Sequence, residues 1–487
     1  MDVQSDRPLS AGTAAEAIDR LARRAATLDI ALHTVEVSVG GELVASATCA
    51  PRGPYEPQRM YSVSKTVTGL AVGLLAADGA LGLDDPIVRY FPEMAPVHPW
   101  LEATTIRHML AMRGPHRSTT YKLTAGAWLE SYFRVPPTHP PGTLFTYDTS
   151  AAYTLAALVE RLAGVPLADY LRPRLFDPIG VSPDLRFLPG PEGVSHGGSG
   201  LVCTPRDLLR LAHLLLDDGM VDDRRDHRAR TGGDDRDAHG ATRLIPADYL
   251  RDATRPQADT TQLTWGGTLR GGYGYQMWLP DRGGWLMFGL GGQIVHGDPA
   301  RGLAVVVTAD TQACTGGDQR LLDDVMDLLV DPLAAEIDAG TTPGAHHAAV
   351  RLDWPAPWHD ASTVPPPGGT YRNVAEGPGP AEIRASLTDD GGYLRAATRG
   401  DDRPDWNIEF RLDRAVWTRI AGEAAVVTAG RPAPGTLDVR CAIHGEDLAT
   451  WRIRLAWAPD ETLAVQAQAF SETADPAWTF CAAYRPV

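Results

Sequence analysis

The sequence predicts an α/β (α+β) domain, built as an antiparallel sheet flanked by helices with a helical subdomain, followed by a second, smaller all-β domain. Three observations carry this. Residues 1–338 show helical periodicity at both ends, around a helical middle and a few short apolar strands. Residues 339–369, rich in Gly and Pro, read as a linker. From residue 370 to the C-terminus the apolar pattern changes to period two, the signature of half-buried strands.

The elements follow in order. Ala14, Ile18, Leu21 and Ala25 recur at helical spacing, so an amphipathic helix is expected over residues 12–28. The stretch HTVEVSVGGELVASATCA alternates on both sides of Gly40-Gly41, a β-hairpin pattern. In RMYSVSKTVTGLAVGLLAADG (59–79), Val63, Val67, Leu70 and Leu74 mark a buried helix that Gly79 closes. Helical segments recur at 106–111, 155–162 and 208–216. Residues 217–240 are highly charged, with few apolar positions, and read as a solvated loop. Strands are expected at Trp285–Met287, Gln293–His296 and Ala304–Thr308, and a closing helix over Leu321–Ile337. Helices from both chain ends can then cover one antiparallel sheet. In residues 370–487, Trp406, Ile408, Phe410 and Leu412 alternate with polar residues. So do Leu437, Val439, Cys441 and Ile443, and again Trp451, Ile453, Leu455 and Trp457, as in a barrel or sandwich.

Composition narrows the function classes. A net charge of −16 argues against nucleic acid or an anionic membrane as a partner, since both need basic surface. No apolar run approaches the ~20 residues of a membrane span. The N-terminal 28 residues contain no uninterrupted apolar core of the signal-peptide kind, so a cytoplasmic protein is the expectation. Five cysteines (Cys49, Cys203, Cys314, Cys441, Cys481) lack metal spacing and read as reduced thiols. His346-His347 in the linker read as incidental, and neither a metal nor a cofactor is expected.

The chain has 43 arginines and only two lysines, Lys65 and Lys122. Lys65 stands three residues after Ser62 at the start of an apolar helix, where positions i and i+3 share a face. A desolvated amine can shed its proton near neutral pH, whereas a guanidinium cannot. A lysine can therefore activate a serine hydroxyl, and the helix dipole favours the negative charge that develops there.

Further segments match a pattern. PPGTLFTYDTSAAYTLAALVERLAG (140–164) sets Tyr147 just before a helix. GGSGLVCTPRDLLRLAHLLLDDG (197–219) and GYGYQMWLPDRGGWLMFGLGGQIVHGDPARGLAVVVTAD (272–310) follow. With the S-x-x-K of Ser62 and Lys65, these segments resemble the serine β-lactamase and penicillin-binding-protein-like superfamily in motif order and spacing. The resemblance covers roughly residues 12–338 and points to the class C branch of esterases, DD-peptidases, transesterases and peptide-cyclising thioesterases. It implies a β-lactamase/transpeptidase-like fold, Ser62 as acyl-forming nucleophile, Lys65 as its base and Tyr147 as proton shuttle. Lys65 would help lower the phenol's pKa. The backbone N–H groups of Ser62 and Leu290 would form the oxyanion hole. The β-domain resembles the lipocalin-like domains carried by some members.

Two departures bear on the substrate. Where the family has Asn in Y-x-N, this chain has Thr149, with Ser150 beside it. The third motif, usually K-T-G or H-x-G, aligns with Met287-Phe288-Gly289 and so lacks a cation for a substrate carboxylate. These five residues and His116, placed near the cleft rim by the resemblance, are the candidate substrate contacts. His116 reads equally well as a surface histidine, and Tyr273, Tyr275 and Trp278 read as sheet-packing residues.

The expected function is a serine hydrolase that forms an acyl-enzyme with an ester, thioester or amide of a small molecule or peptide. Two readings stand beside it: a biosynthetic acyltransferase or peptide cyclase using the same acyl-enzyme, and a non-catalytic relative that binds a ligand or partner. Self-association into a homo-oligomer is left open.

Overall fold

The computed structural model describes residues 8–9, 11–222, 241–263, 265–340, 342–343, 347–375, 379–397, 406–472 and 475–487. Most of the charged stretch (223–240) and His346 lie outside the described residues. The chain divides into two compact units. One comprises residues 1–24, 33–309 and 318–352, the other residues 25–32, 310–317 and 353–487.

In the first unit, helix α1 (Ala11–Thr27) precedes the hairpin of strands β1 (Ala31–Val39) and β2 (Glu42–Thr48). Gly40 and Gly41 turn the hairpin with φ of 60° and 82°, the left-handed region that favours glycine. Helix α2 (Ser64–Ala77) is buried along nearly its whole length, which is why its apolar residues run beyond one face. Helix α3 (Thr149–Ala163) and helix α4 (Pro205–Leu216) complete the main helical middle. Strands β3 (Trp285–Gly289), β4 (Gln293–Asp298) and β5 (Leu303–Asp310) are fully buried and antiparallel, β4 between the others. The closing helical stretch begins with α5 (Gly317–Val325), continues through a π-helical turn at Met326–Val330 and ends at Asp338.

The sheet differs from expectation at one edge. Strand β6 (Ala348–Arg351), inside the stretch read as a linker, pairs in parallel with β2, with Ala348 opposite Ala45. The sheet is therefore mixed, in the order β6-β2-β1-β5-β4-β3. A four-residue strand among Gly and Pro carries too little periodicity to stand out, yet its backbone groups satisfy those of β2.

The second unit is a ten-stranded antiparallel barrel. Its strands are β7 (Gly369–Asn373), β8 (Glu382–Thr388), β9 (Gly391–Ala397), β10 (Trp406–Arg411) and β11 (Val416–Ile420). After them come β12 (Glu423–Gly430), β13 (Thr436–His444), β14 (Leu448–Trp457), β15 (Leu463–Phe470) and β16 (Phe480–Pro486). The order β10-β9-β8-β7-β16-β15-β14-β13-β12-β11 joins the first and last strands, leaving only the β10–β11 seam to close. Every second residue points inward, as the period-two pattern requires. Ile408, Phe410, Val439, Cys441, Ile453 and Leu455 accordingly share one core. All five cysteines are free, and Cys49, Cys203 and Cys441 are buried.

Candidate active site

The chain reaches Ser62 through a constrained turn. Tyr61 has φ +46°, a left-handed conformation that costs a non-glycine residue about 1–2 kcal/mol. Packing holds it there: Tyr61 is buried, Arg59 lies 4.5 Å over its ring, and its backbone bridges Gly200. The next residues enter α2, with the Lys65 N–H donating to the Ser62 carbonyl (3.1 Å). That turn sets Lys65 Nζ 2.9 Å from Ser62 Oγ, and Nζ also donates to the Gly198 carbonyl at 2.7 Å. Lys65 is almost fully buried, whereas Ser62 remains partly open to solvent.

Gly198 was not singled out from the sequence, although it lies in the quoted GGSG run. A methyl group there would stand 2.5 Å from Thr149 Cγ2, so only glycine lets this carbonyl reach Lys65 beside Thr149. Thr149 itself begins α3 and is half-buried at the site.

Tyr147 completes the group. Its ring centroid is 4.8 Å from Lys65 Nζ, and its phenol is hydrogen-bonded with Ser62. Burial pushes the phenol up to about 12, while bonds from Ser62 and Trp278 pull it down. This corrects the expectation that Lys65 lowers the phenol: desolvation outweighs the neighbouring polar groups. Trp278, read from sequence as a sheet-packing residue, stacks on Tyr147 with ring centroids 5.4 Å apart, and Trp265 meets the same ring edge-on at 5.5 Å.

Asp148, between Tyr147 and Thr149, caps α3. Its Oδ1 accepts from the Ser150 N–H at 2.8 Å. Burial raises its carboxyl to about 7 against the pull of these bonds and of Lys65. Ser150 is fully buried, its Oγ accepting from the Thr120 N–H, and so serves the cap rather than lining the cleft.

The end of β3 lies against the nucleophile. A methyl on Gly289 would come within 2.4 Å of the Met60 carbonyl and 3.2 Å of the Ser62 nitrogen. The following residue, Leu290, is half-exposed at the turn, beside Gly291, whose N–H is held by Asp318 at 2.9 Å. Met287 is buried in the core that contains Met60 and Val63, and Phe288 is also buried. His116 is not a surface histidine. It is buried, its Nε2 meets the Tyr132 carbonyl at 2.8 Å, and burial pushes its pKa down to about 4.

A family model described as Beta-lactamase matches residues 33–329, well over half of the chain. The chain belongs to the beta-lactamase family. Its fold and motif order place it within the serine β-lactamase and penicillin-binding-protein-like superfamily. Among curated relatives of this beta-lactamase-family chain, an uncharacterised protein of Mycobacterium tuberculosis is 29% identical over 34% of this chain and 55% of its own. A 6-aminohexanoate-dimer hydrolase of Paenarthrobacter ureafaciens is 24% identical over 37% of this chain and 51% of its own. The chain thus spans about half the length of these relatives. A solved structure described as a beta-lactamase of Bacteroides dorei shares the fold, with a TM-score of 0.51 at 15% identity over 64% of this chain and 98% of that one.

Proposed function

We propose that this beta-lactamase-family chain is a serine hydrolase acting through an acyl-enzyme on Ser62, on a neutral ester, thioester or amide of a small molecule or peptide. The observation that carries the reading is the contact of Lys65 Nζ with Ser62 Oγ at 2.9 Å beneath the Tyr147 ring. A neutral amine there can accept the Ser62 proton while the Gly198 carbonyl keeps one of its own N–H groups in place.

Ser62 Oγ would attack the acyl carbonyl, and its proton would pass through Lys65 and Tyr147 to the leaving group. Water, activated by the same pair, would then attack the ester on Ser62. A phenol near 12 matches the basicity of an alkoxide leaving group more closely than a carboxylic acid would. The Ser62 and Leu290 N–H groups, brought near one another by the close approach of Gly289 to Ser62, are the candidates for holding the oxyanion. The relative named 6-aminohexanoate-dimer hydrolase supports including amides among the substrates.

The test is covalent capture. A fluorophosphonate or activated ester should leave an adduct on Ser62, located by mass spectrometry. Ser62→Ala should fold, by circular dichroism, and take up no label. Labelling that persists in Ser62→Ala would overturn the assignment.

A further inference from the structure

Next to the aromatic group around Tyr147 lies a cavity of about 680 Å³, within the size range of small-molecule pockets. Its walls come from residues 143–145, 256–263 and 270–272, with Arg113. Phe145 belongs both to this wall and to the aromatic group around the phenol. Its ring lies 5.3 Å from Tyr273 and 5.7 Å from Trp278, and both of those rings contact Tyr147.

The walls are fixed rather than loose. Arg113 donates to the carbonyls of Gly142 and Gln257, tying the two long segments together. Arg270 Nε holds the Leu263 carbonyl at 2.9 Å, and Thr260 Oγ1 donates to the Leu269 carbonyl at 2.8 Å. The one carboxylate of the wall, Asp259, accepts from the Thr261 N–H at 2.8 Å. Each charged side chain of the wall therefore has a partner already, while Thr143, Thr261 and Gln262 offer neutral donors and acceptors. Leu144 and Phe145 add an apolar face.

We propose that this cavity is the leaving-group subsite and takes a neutral, amide-bearing chain: the amine half of a peptide-like substrate. The inference rests on the acyl-enzyme reading, in which Tyr147 protonates the departing atom. The departing part of the substrate then lies beside Tyr147, and the rings of Tyr273, Trp278 and Phe145 lead from that phenol to the cavity wall. A neutral chain leaves no charge unpaired there, and its amide groups meet the hydroxyls and amides of the wall.

Three substrates sharing an acetyl core separate the alternatives: acetyl p-nitrophenyl ester, an acetylated dipeptide amide extended only on the amine side, and a p-nitrophenyl ester extended only on the acyl side. Gln262→Trp and Thr143→Trp add bulk to the cavity from two separate lining segments at exposed positions. Both should lower kcat/KM for the amine-extended amide, relative to the short ester, by tenfold or more. The acyl-extended ester should keep its ratio to the short one. An unchanged amide ratio, or a loss that follows the acyl extension, overturns the subsite while Ser62 remains acylated by the short ester. Absence of a Ser62 adduct in the unaltered protein overturns the acyl-enzyme reading itself and the subsite with it.

Discussion

Trp278 stacks on Tyr147 with the two rings 25° from parallel and their centroids 5.4 Å apart. The indole therefore both fixes the phenol's tilt and supplies a hydrogen bond that favours its ionised form. Trp278→Phe keeps the ring contact and loses the bond, worth about 0.5–1.5 kcal/mol, so kcat for an ester should fall by roughly two- to tenfold. Trp278→Ala, which removes the stacked surface as well, should fall further while the fold persists. Equal activities for the two variants and the parent protein would show that the indole does not position Tyr147.

Lys65 and Lys122 provide an internal comparison. If Lys65 must be neutral for part of each turnover, Lys65→Arg should lose on the order of 10³-fold or more in kcat, nearly as much as Lys65→Ala. Lys122 is exposed, and Lys122→Arg should keep ester turnover within a factor of two or so. A Lys65→Arg enzyme near the parent rate, measured by steady-state ester hydrolysis, would remove the lysine from the base role.

The Lys65 pairing was legible because it follows from helix geometry and from the rarity of lysine in this chain. The barrel was legible because inward and outward residues alternate along long strands such as Leu448–Trp457. What escaped depends on contacts between distant segments. Gly198 matters because Thr149, 49 residues earlier, crowds it, and Trp278 because, outside any strand and bridged to Leu286, it stacks on Tyr147. Neither contact leaves a local periodicity. His116 was set near the rim by motif position alone, whereas its burial against Tyr132 decides its place. Strand β6 escaped because four residues make too short a pattern, and its partner β2 lies some 300 positions away.

Gly289→Ala tests the closeness of β3 to the nucleophile. The added methyl would stand 2.4 Å from the Met60 carbonyl and 3.2 Å from the Ser62 nitrogen, and both opposing atoms are backbone. Relief requires the strand end or the Ser62 turn to move, which disturbs any oxyanion donors there. Loss of one such donor commonly costs about 10²–10³ in kcat. Gly289→Ala should show that loss together with a lower Tm, whereas unchanged kinetics would place the oxyanion site elsewhere.

Asp148 and Glu36 each give stability a pH-dependent contribution of definite sign. Burial raises both carboxyls to about 7, for Asp148 against its cap bonds and for Glu36 against Arg206 and Arg210. Between about pH 4 and 7 these two carboxyls thus hold protons that the unfolded chain has released, and their contribution to stability falls as pH rises. The buried His116 and His296, pushed down to about 4, and His196, pushed down to about 3, instead contribute stability that rises with pH up to about 6.5. Asp148→Asn keeps a good helix cap and removes one of the falling contributions, so its Tm at pH 7.5 should rise relative to its Tm at pH 5 when compared with the same difference in the parent protein. An unchanged difference between the two pH values in Asp148→Asn would mean that this carboxyl is ionised throughout.

The third motif bears on substrate charge. The motif resemblance sets Met287 at the position of the family's cation, and it is buried in the core that holds Met60 and Val63. A penicillin or a peptide with a free terminal carboxylate would bring a charge into a partly desolvated site without that partner. Uncompensated burial of a charge costs several kcal/mol, about 3–5 when a buried pair loses one member. A neutral ester meets no such cost, and its better leaving group asks less of Tyr147 as an acid. Short-chain p-nitrophenyl esters should therefore be turned over with kcat/KM at least about a hundredfold above that for benzylpenicillin, since 1.4 kcal/mol is a factor of ten. Both rates are to be measured on the same preparation, with Ser62→Ala as the blank. Penicillin hydrolysis faster than ester hydrolysis would refute the neutral-substrate reading, because some other cation would then have to meet the carboxylate.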